Sequence, residues 1–153
     1  VIRELNRLKI CTDLSHLNDK SFFGAIERAD YPIASHSNSR EICQVPRNLT
    51  DEQLKLIGEK NGLIGLCFYP KFLGGNAFEK IYENICRLGN LGLENNIAIG
   101  SDFDGADMSD ELSDISKVPD LYAYLENRGI SAGTLKKIFY ENAQNYFDKL
   151  SGI

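Results

Sequence analysis

The feature that most constrains this chain is an alternation of short apolar runs, each of strand length, with amphipathic stretches of helix length. Residues 1–8 read as the end of a helix, with Ile2, Leu5 and Leu8 on one face. Residues 10–14 then read as a strand, 19–28 as a helix and 32–35 as a second strand. Thr50 with Gln53 three residues later predicts a capping box, opening a helix that runs to about Lys60 and stops at Asn61-Gly62. Residues 63–69 are apolar on both faces, as a buried parallel strand requires. A helix over 77–88 closed by Gly89, a fourth strand over 97–101, and helices over 120–127 and 131–146 complete the pattern, with Gly129 between the last two. Strands alternating with helices mean βα units on a parallel sheet, in a single domain over 1–153. A whole (β/α)8 barrel takes roughly 200 to 250 residues. Four such units therefore fit half a barrel or a small open sheet.

Composition narrows the function classes. The chain is 42% hydrophobic and 25% charged, with a net charge of −5 and no Lys/Arg run, which argues against a nucleic-acid partner. No apolar stretch approaches the ~20 residues of a membrane span. Cys11, Cys43, Cys67 and Cys86 are widely spaced without a Cys-x-x-Cys pair, so neither a zinc knuckle nor a thioredoxin-like motif is present. Cys11 and Cys67 fall inside apolar strand-like runs and read as reduced core thiols, the expectation for a cytoplasmic protein. Asn48-Leu49-Thr50 is formally a glycosylation triplet, but a helix start accounts for Thr50.

The residues able to do chemistry gather at one edge. His16, His36 and Asp102 each follow the C-terminal end of a predicted strand, the edge where barrels and open α/β sheets build their sites. Neutral imidazoles at equivalent strand ends suit a transition metal, although a strand-end histidine can equally be structural. Asp102 and Asp104 are two apart, so on a strand they would point the same way and could serve as ligands or as acid and base. The bland alternative is a loop cap and a solvated carboxylate. Arg47 lies in the loop after the second strand, where its guanidinium could clamp a carboxylate or simply meet solvent. The acidic stretch 107–114 reads as a solvated face. Spacing alone stops at a metal or acid–base site on a parallel sheet.

Several blocks together resemble the renal (membrane) dipeptidase family in order and spacing. They are Asp13-Leu14-Ser15-His16, Ser35-His36-Ser37-Asn38, Pro46-Arg47-Asn48-Leu49-Thr50-Asp51, Phe68-Tyr69-Pro70 and Gly100-Ser101-Asp102-Phe103-Asp104-Gly105. The resemblance extends over essentially the whole chain. It implies a (β/α)8 metallohydrolase that cleaves dipeptides with two zinc ions, this chain corresponding to strands five to eight. It further implies that His16 and His36 bind the second zinc, that Arg47 holds the terminal carboxylate of the dipeptide substrate, and that Asp102 gives a proton to the leaving amine. The family's first zinc uses a His-x-Asp pair and a glutamate bridges the two ions. Neither feature has a counterpart here, so the chain alone is expected not to hydrolyse dipeptides. A half-barrel also leaves two sheet edges open, which predicts a homo-oligomer. Two other readings stay open. One is a non-catalytic, oligomerising remnant; the other is a related barrel metallohydrolase with another substrate, which a carboxylate clamp at Arg47 disfavours.

Overall fold

The structure, a computed structural model, describes residues 1–152. Four strands form one parallel sheet in the order β1 (Thr12–Asp13), β2 (Pro32–Ala34), β3 (Leu63–Leu66), β4 (Ile97–Ile99), so each strand lies beside its neighbour in sequence. That order is the one successive βα units generate when each crossover has the same hand. The register pairs Thr12 with Pro32, Ile33 with Leu63 and Ile64 with Ile97.

Helices α1 (Ile2–Arg7), α2 (Asp19–Ile26), α3 (Asp51–Glu59), α4 (Pro70–Leu73) and α5 (Ala77–Asn90) lead up to β4. After it come α6 (Val118–Asn127), α7 (Ala132–Lys136) and α8 (Asn142–Ser151). The predicted capping box is present: Thr50 Oγ1 accepts from the Gln53 N–H, and Gln53 Oε1 accepts from the Thr50 N–H at 2.8 Å. Leu54 and Ile57 of α3 and Ile81, Ile85 and Leu88 of α5 bury their side chains in one cluster with Ile64 and Leu66 of β3 and Ile97 of β4. Burying a side chain of that size is worth about 1.5–3 kcal/mol, so this inner layer is what holds the strand ends in place. All four residues of β3 are buried, as its two-faced apolar sequence requires.

The strands are shorter than their apolar runs. β1 keeps two residues of the predicted five, and Cys11 lies half-exposed ahead of it, while Cys67 is buried just past β3. All four cysteines are free. α5 passes through Gly89 to Asn90 because the left-handed glycine that ends it is Gly92, at φ 78° just past the Leu91 cap. The predicted helix over 131–146 is two helices joined by a π turn, Lys137–Glu141. Beyond that turn the buried Asn142 amide donates to the carbonyls of Glu94 (2.9 Å) and Ile97 (2.8 Å), pinning the last helix beneath β4. No described helix is long and apolar enough to cross a membrane.

Two glycines shape the edge that matters. A Cβ on Gly65 would sit 2.1 Å from the Ser35 carbonyl oxygen, and one on Gly100 would sit 1.9 Å from the same atom. The chain after β2 therefore turns in over β3 and β4, and only bare Cα atoms leave it room. Ser37 N–H donates to the Gly65 carbonyl at 2.7 Å and completes the turn.

Candidate active site

That inward turn brings His36 against His16. Their Nε2 atoms lie 2.9 Å apart and the ring centroids 4.9 Å apart. Arg47 joins them from the following loop. Its Nε–H donates to His16 Nδ1 (3.2 Å), its Nη1 to Ser37 Oγ (2.9 Å) and its Nη2 to the His36 carbonyl (2.7 Å), while its guanidinium lies 5.2 Å from the Phe72 ring centroid. Arg40 fixes that loop by donating to the carbonyls of Pro46 and Asn48, the residues flanking Arg47, and pairs with Asp19 through both carboxylate oxygens.

The hydrogen-bond network assigns the protons. A guanidinium only donates, so His16 Nδ1 accepts and the neutral His16 ring carries its proton on Nε2. His36 Nε2 must then accept, which places the His36 proton on Nδ1, 2.7 Å from Ser35 Oγ. The Ser35 hydroxyl in turn donates to Asp13 Oδ2 at 2.6 Å. Burial works to raise the Asp13 carboxyl, yet the hydrogen bonds from Ser35 and Ser15 outweigh it and hold the group below the usual carboxylate range. Burial and then the Arg47 charge lower His36, keeping that ring neutral.

Asp102 comes from the turn after β4 and lines a cavity of about 510 Å3 together with His16, Tyr69, Phe72 and Asp104. The turn is not an extension of the strand. β4 stops at Ile99 and Asp102 sits in the left-handed region at φ 68°, so the alternation expected to align Asp102 with Asp104 does not apply. Asp104 is exposed in the same turn. His16 shares the uncommon conformation at φ 66°, so both residues occupy strained backbone at the site, a pattern that costs about 1–3 kcal/mol per residue. Buried Cys67, its thiol pushed up to about 11 by burial above all, stays protonated and directs Sγ–H at Asp102 Oδ2 from 3.9 Å.

The sequence model of the membrane dipeptidase family, peptidase family M19, matches residues 1–151. The chain belongs to the membrane dipeptidase family. It is 36% identical over 150 residues to an uncharacterised protein of the pqqA 5′ region of Klebsiella pneumoniae, covering 93% of this chain and 55% of that one. An uncharacterised dipeptidase of Schizosaccharomyces pombe is 34% identical over 149 residues, 93% of this chain and 36% of that protein. Among solved structures, the M19 metallopeptidase dipeptidase AC superposes with a TM-score of 0.93 at 33% identity, covering 99% of this chain and 47% of that one. A Rhodobacter sphaeroides metallopeptidase, solved with a phosphinate mimic of the dipeptide L-Ala-D-Ala, gives 0.91 at 33%, covering 97% and 45%. The chain thus spans between about a third and just over half of these relatives' lengths. Its four parallel strands form half of the TIM barrel of the M19 dipeptidases.

M19 dipeptidases are metallopeptidases, and the geometry tests how far this chain fits a metal. Two imidazole nitrogens on one tetrahedral zinc, each bound at about 2.05 Å, lie roughly 3.3 Å apart. The 2.9 Å approach of the two Nε2 atoms needs a slight parting of the rings and, at His16, movement of the ring proton from Nε2 to Nδ1 with release of the Arg47 bond. The pair fits part of one shell. Among the described residues no group of three or more His, Cys, Asp or Glu side chains gathers as a metal cluster. Sequence reasoning missed Ser35 and Asp13, which lie behind His36, and Phe72 under Arg47. The signal for Phe72 was Pro70, a residue favoured in a first helical turn and the start of α4.

Proposed function

We propose that the chain supplies half of a zinc-dependent dipeptide-hydrolysing site, with His16 and His36 holding one zinc ion, Arg47 receiving the substrate carboxylate and Asp102 handling the leaving-group proton. The observation that carries this reading is the 2.9 Å convergence of the two Nε2 atoms beside Arg47 and the cavity lined by Asp102. When bound, zinc supplies Lewis-acid polarisation of the scissile carbonyl. Three of the five Arg47 N–H groups are already engaged, leaving one on each Nη for a carboxylate. The cation resting on Phe72 is partly shielded from water, which strengthens that charge-assisted pair. The Asp102 carboxylate takes the proton released as water adds to the scissile carbonyl and delivers it to the departing amine as the C–N bond breaks, while the Cys67 thiol orients Oδ2. The Rhodobacter sphaeroides structure with its dipeptide mimic supports a dipeptide as the substrate class.

Two histidines are too few to close a catalytic zinc shell, so the isolated chain binds zinc weakly and turns over no dipeptide. The test is zinc content and dipeptide hydrolysis of the purified chain. Substoichiometric zinc without turnover agrees with the proposal. Two tightly bound zincs with turnover would overturn the half-site account.

A further inference from the structure

His36 is backed by a carboxylate it does not touch. Asp13 Oδ1 accepts the N–H groups of Ser15 (3.0 Å) and Ser35 (3.0 Å), tying the end of β1 to the end of β2. That leaves Asp13 Oδ2 for the Ser35 hydroxyl at 2.6 Å, the shortest bond in the group and one strengthened by the anion. A hydroxyl has one hydrogen, so once it is given to Asp13 the Ser35 oxygen can only accept from His36 Nδ1–H at 2.7 Å. The backbone is fixed as well, since the His36 N–H donates to Ser15 Oγ at 3.2 Å. The His36 backbone is thus set by Ser15, just after β1, and its ring by Asp13 of β1 through Ser35.

We infer that Asp13, acting through the Ser35 hydroxyl, is a positioning residue that presets the Nδ1–H tautomer of His36 and keeps its Nε2 unprotonated, so that the lone pair it now offers to the His16 N–H can pass to a divalent metal. The inference rests on the reading of His36 as a metal ligand. The general chemistry is that of a ligating histidine whose second nitrogen is held by an outer acceptor, here a carboxylate one hydroxyl removed. His16 has no such support. Its Nδ1 faces the Arg47 guanidinium, so it holds the opposite tautomer and must exchange protons and release Arg47 before its Nε2 can bind. His36 is the ready ligand of the pair.

The test uses the full chain with 15N-labelled imidazoles, free of metal and then titrated with zinc. In the unsubstituted chain His36 shows the Nδ1–H tautomer. Ser35→Ala removes the relay yet leaves both Asp13–backbone bonds and the His16 N–H on His36 Nε2, so it should loosen His36 to a mixture of tautomers and weaken zinc about tenfold or more. Ser35→Thr keeps a hydroxyl and should restore both readouts. Asp13→Asn should act in the same direction as Ser35→Ala; if that variant fails to fold, the serine pair carries the test. An unchanged His36 tautomer and unchanged zinc affinity in Ser35→Ala would overturn the inference. If the unsubstituted chain takes no zinc on His36, the metal reading itself fails, and the tautomer comparison alone decides whether Asp13 and Ser35 set the ring.

Discussion

His16 leaves β1 exposed, at φ 66°, with its ring held by a bond from Arg47 and by its contact with His36. His36 leaves β2 half-buried, with its carbonyl on Arg47, its N–H on Ser15 and its ring on Ser35. Both rings arrive at one point from adjacent parallel strands, but the second segment is built into the barrel interior and the first lies across its rim. The difference follows from Gly65 and Gly100, whose missing side chains admit the Ser35 carbonyl. A ligand on a rim can adjust to an ion; a ligand locked from behind can define where the ion sits.

The largest way to break that contrast is to fill the interior. Gly65→Ala drives a Cβ into backbone oxygen, which cannot move aside as a side-chain end would. It should cost about 3 kcal/mol or more in chemical denaturation and disturb His36 resonances well beyond those of His16. Arg47 bears on the other side of the comparison. In a complete dipeptidase site, as the proposed function has it, Arg47→Lys gives up the planar fork and should raise KM for dipeptides about 10–100-fold, with the smaller change in kcat. In the free chain it should release His16 Nδ1 while the Ser35–His36 contact persists.

Acid should separate the two histidines next. His36 is lowered in the folded state by burial and by Arg47, below the unfolded value of about 6.5. The unfolded chain then binds the proton more readily, so stability is full above that value and falls as pH drops through it. The melting temperature should decline between pH 7.5 and 5.5, and His36→Gln should flatten that decline. Asp13 adds a second loss below about pH 4, since its folded value also lies beneath its unfolded one. The smallest effect is at His16. His16→Gly relieves left-handed backbone and should leave the melting temperature level or slightly raised, whereas His36→Gly should lower it.

Much of this was legible from the residues in order. Apolar runs located all four strands, the Thr50–Gln53 spacing located α3, and histidines at two successive strand ends marked the edge where the two rings converge. What the order could not carry was long-range. Asp13, Ser35 and His36 meet across a gap of 22 residues in sequence, and nothing local in Asp13-Leu14-Ser15 says that its carboxylate will cap the next strand. Strand lengths were overread because an apolar run continues into buried turns, as Cys67 and Phe68 do after β3. Strand alternation does not relate Asp102 to Asp104 either, since it ends where the strand ends, although both residues line the same cavity.

The central claim is that His16 and His36 offer one shared metal position. Titrating the 15N-imidazole-labelled chain with zinc tests it directly. The account predicts that the Nε2 resonances of both histidines shift together along a single binding curve, and that His16→Ala and His36→Ala each abolish it. Zinc that leaves both rings unmoved, or that moves the two rings along independent curves, would contradict the claim.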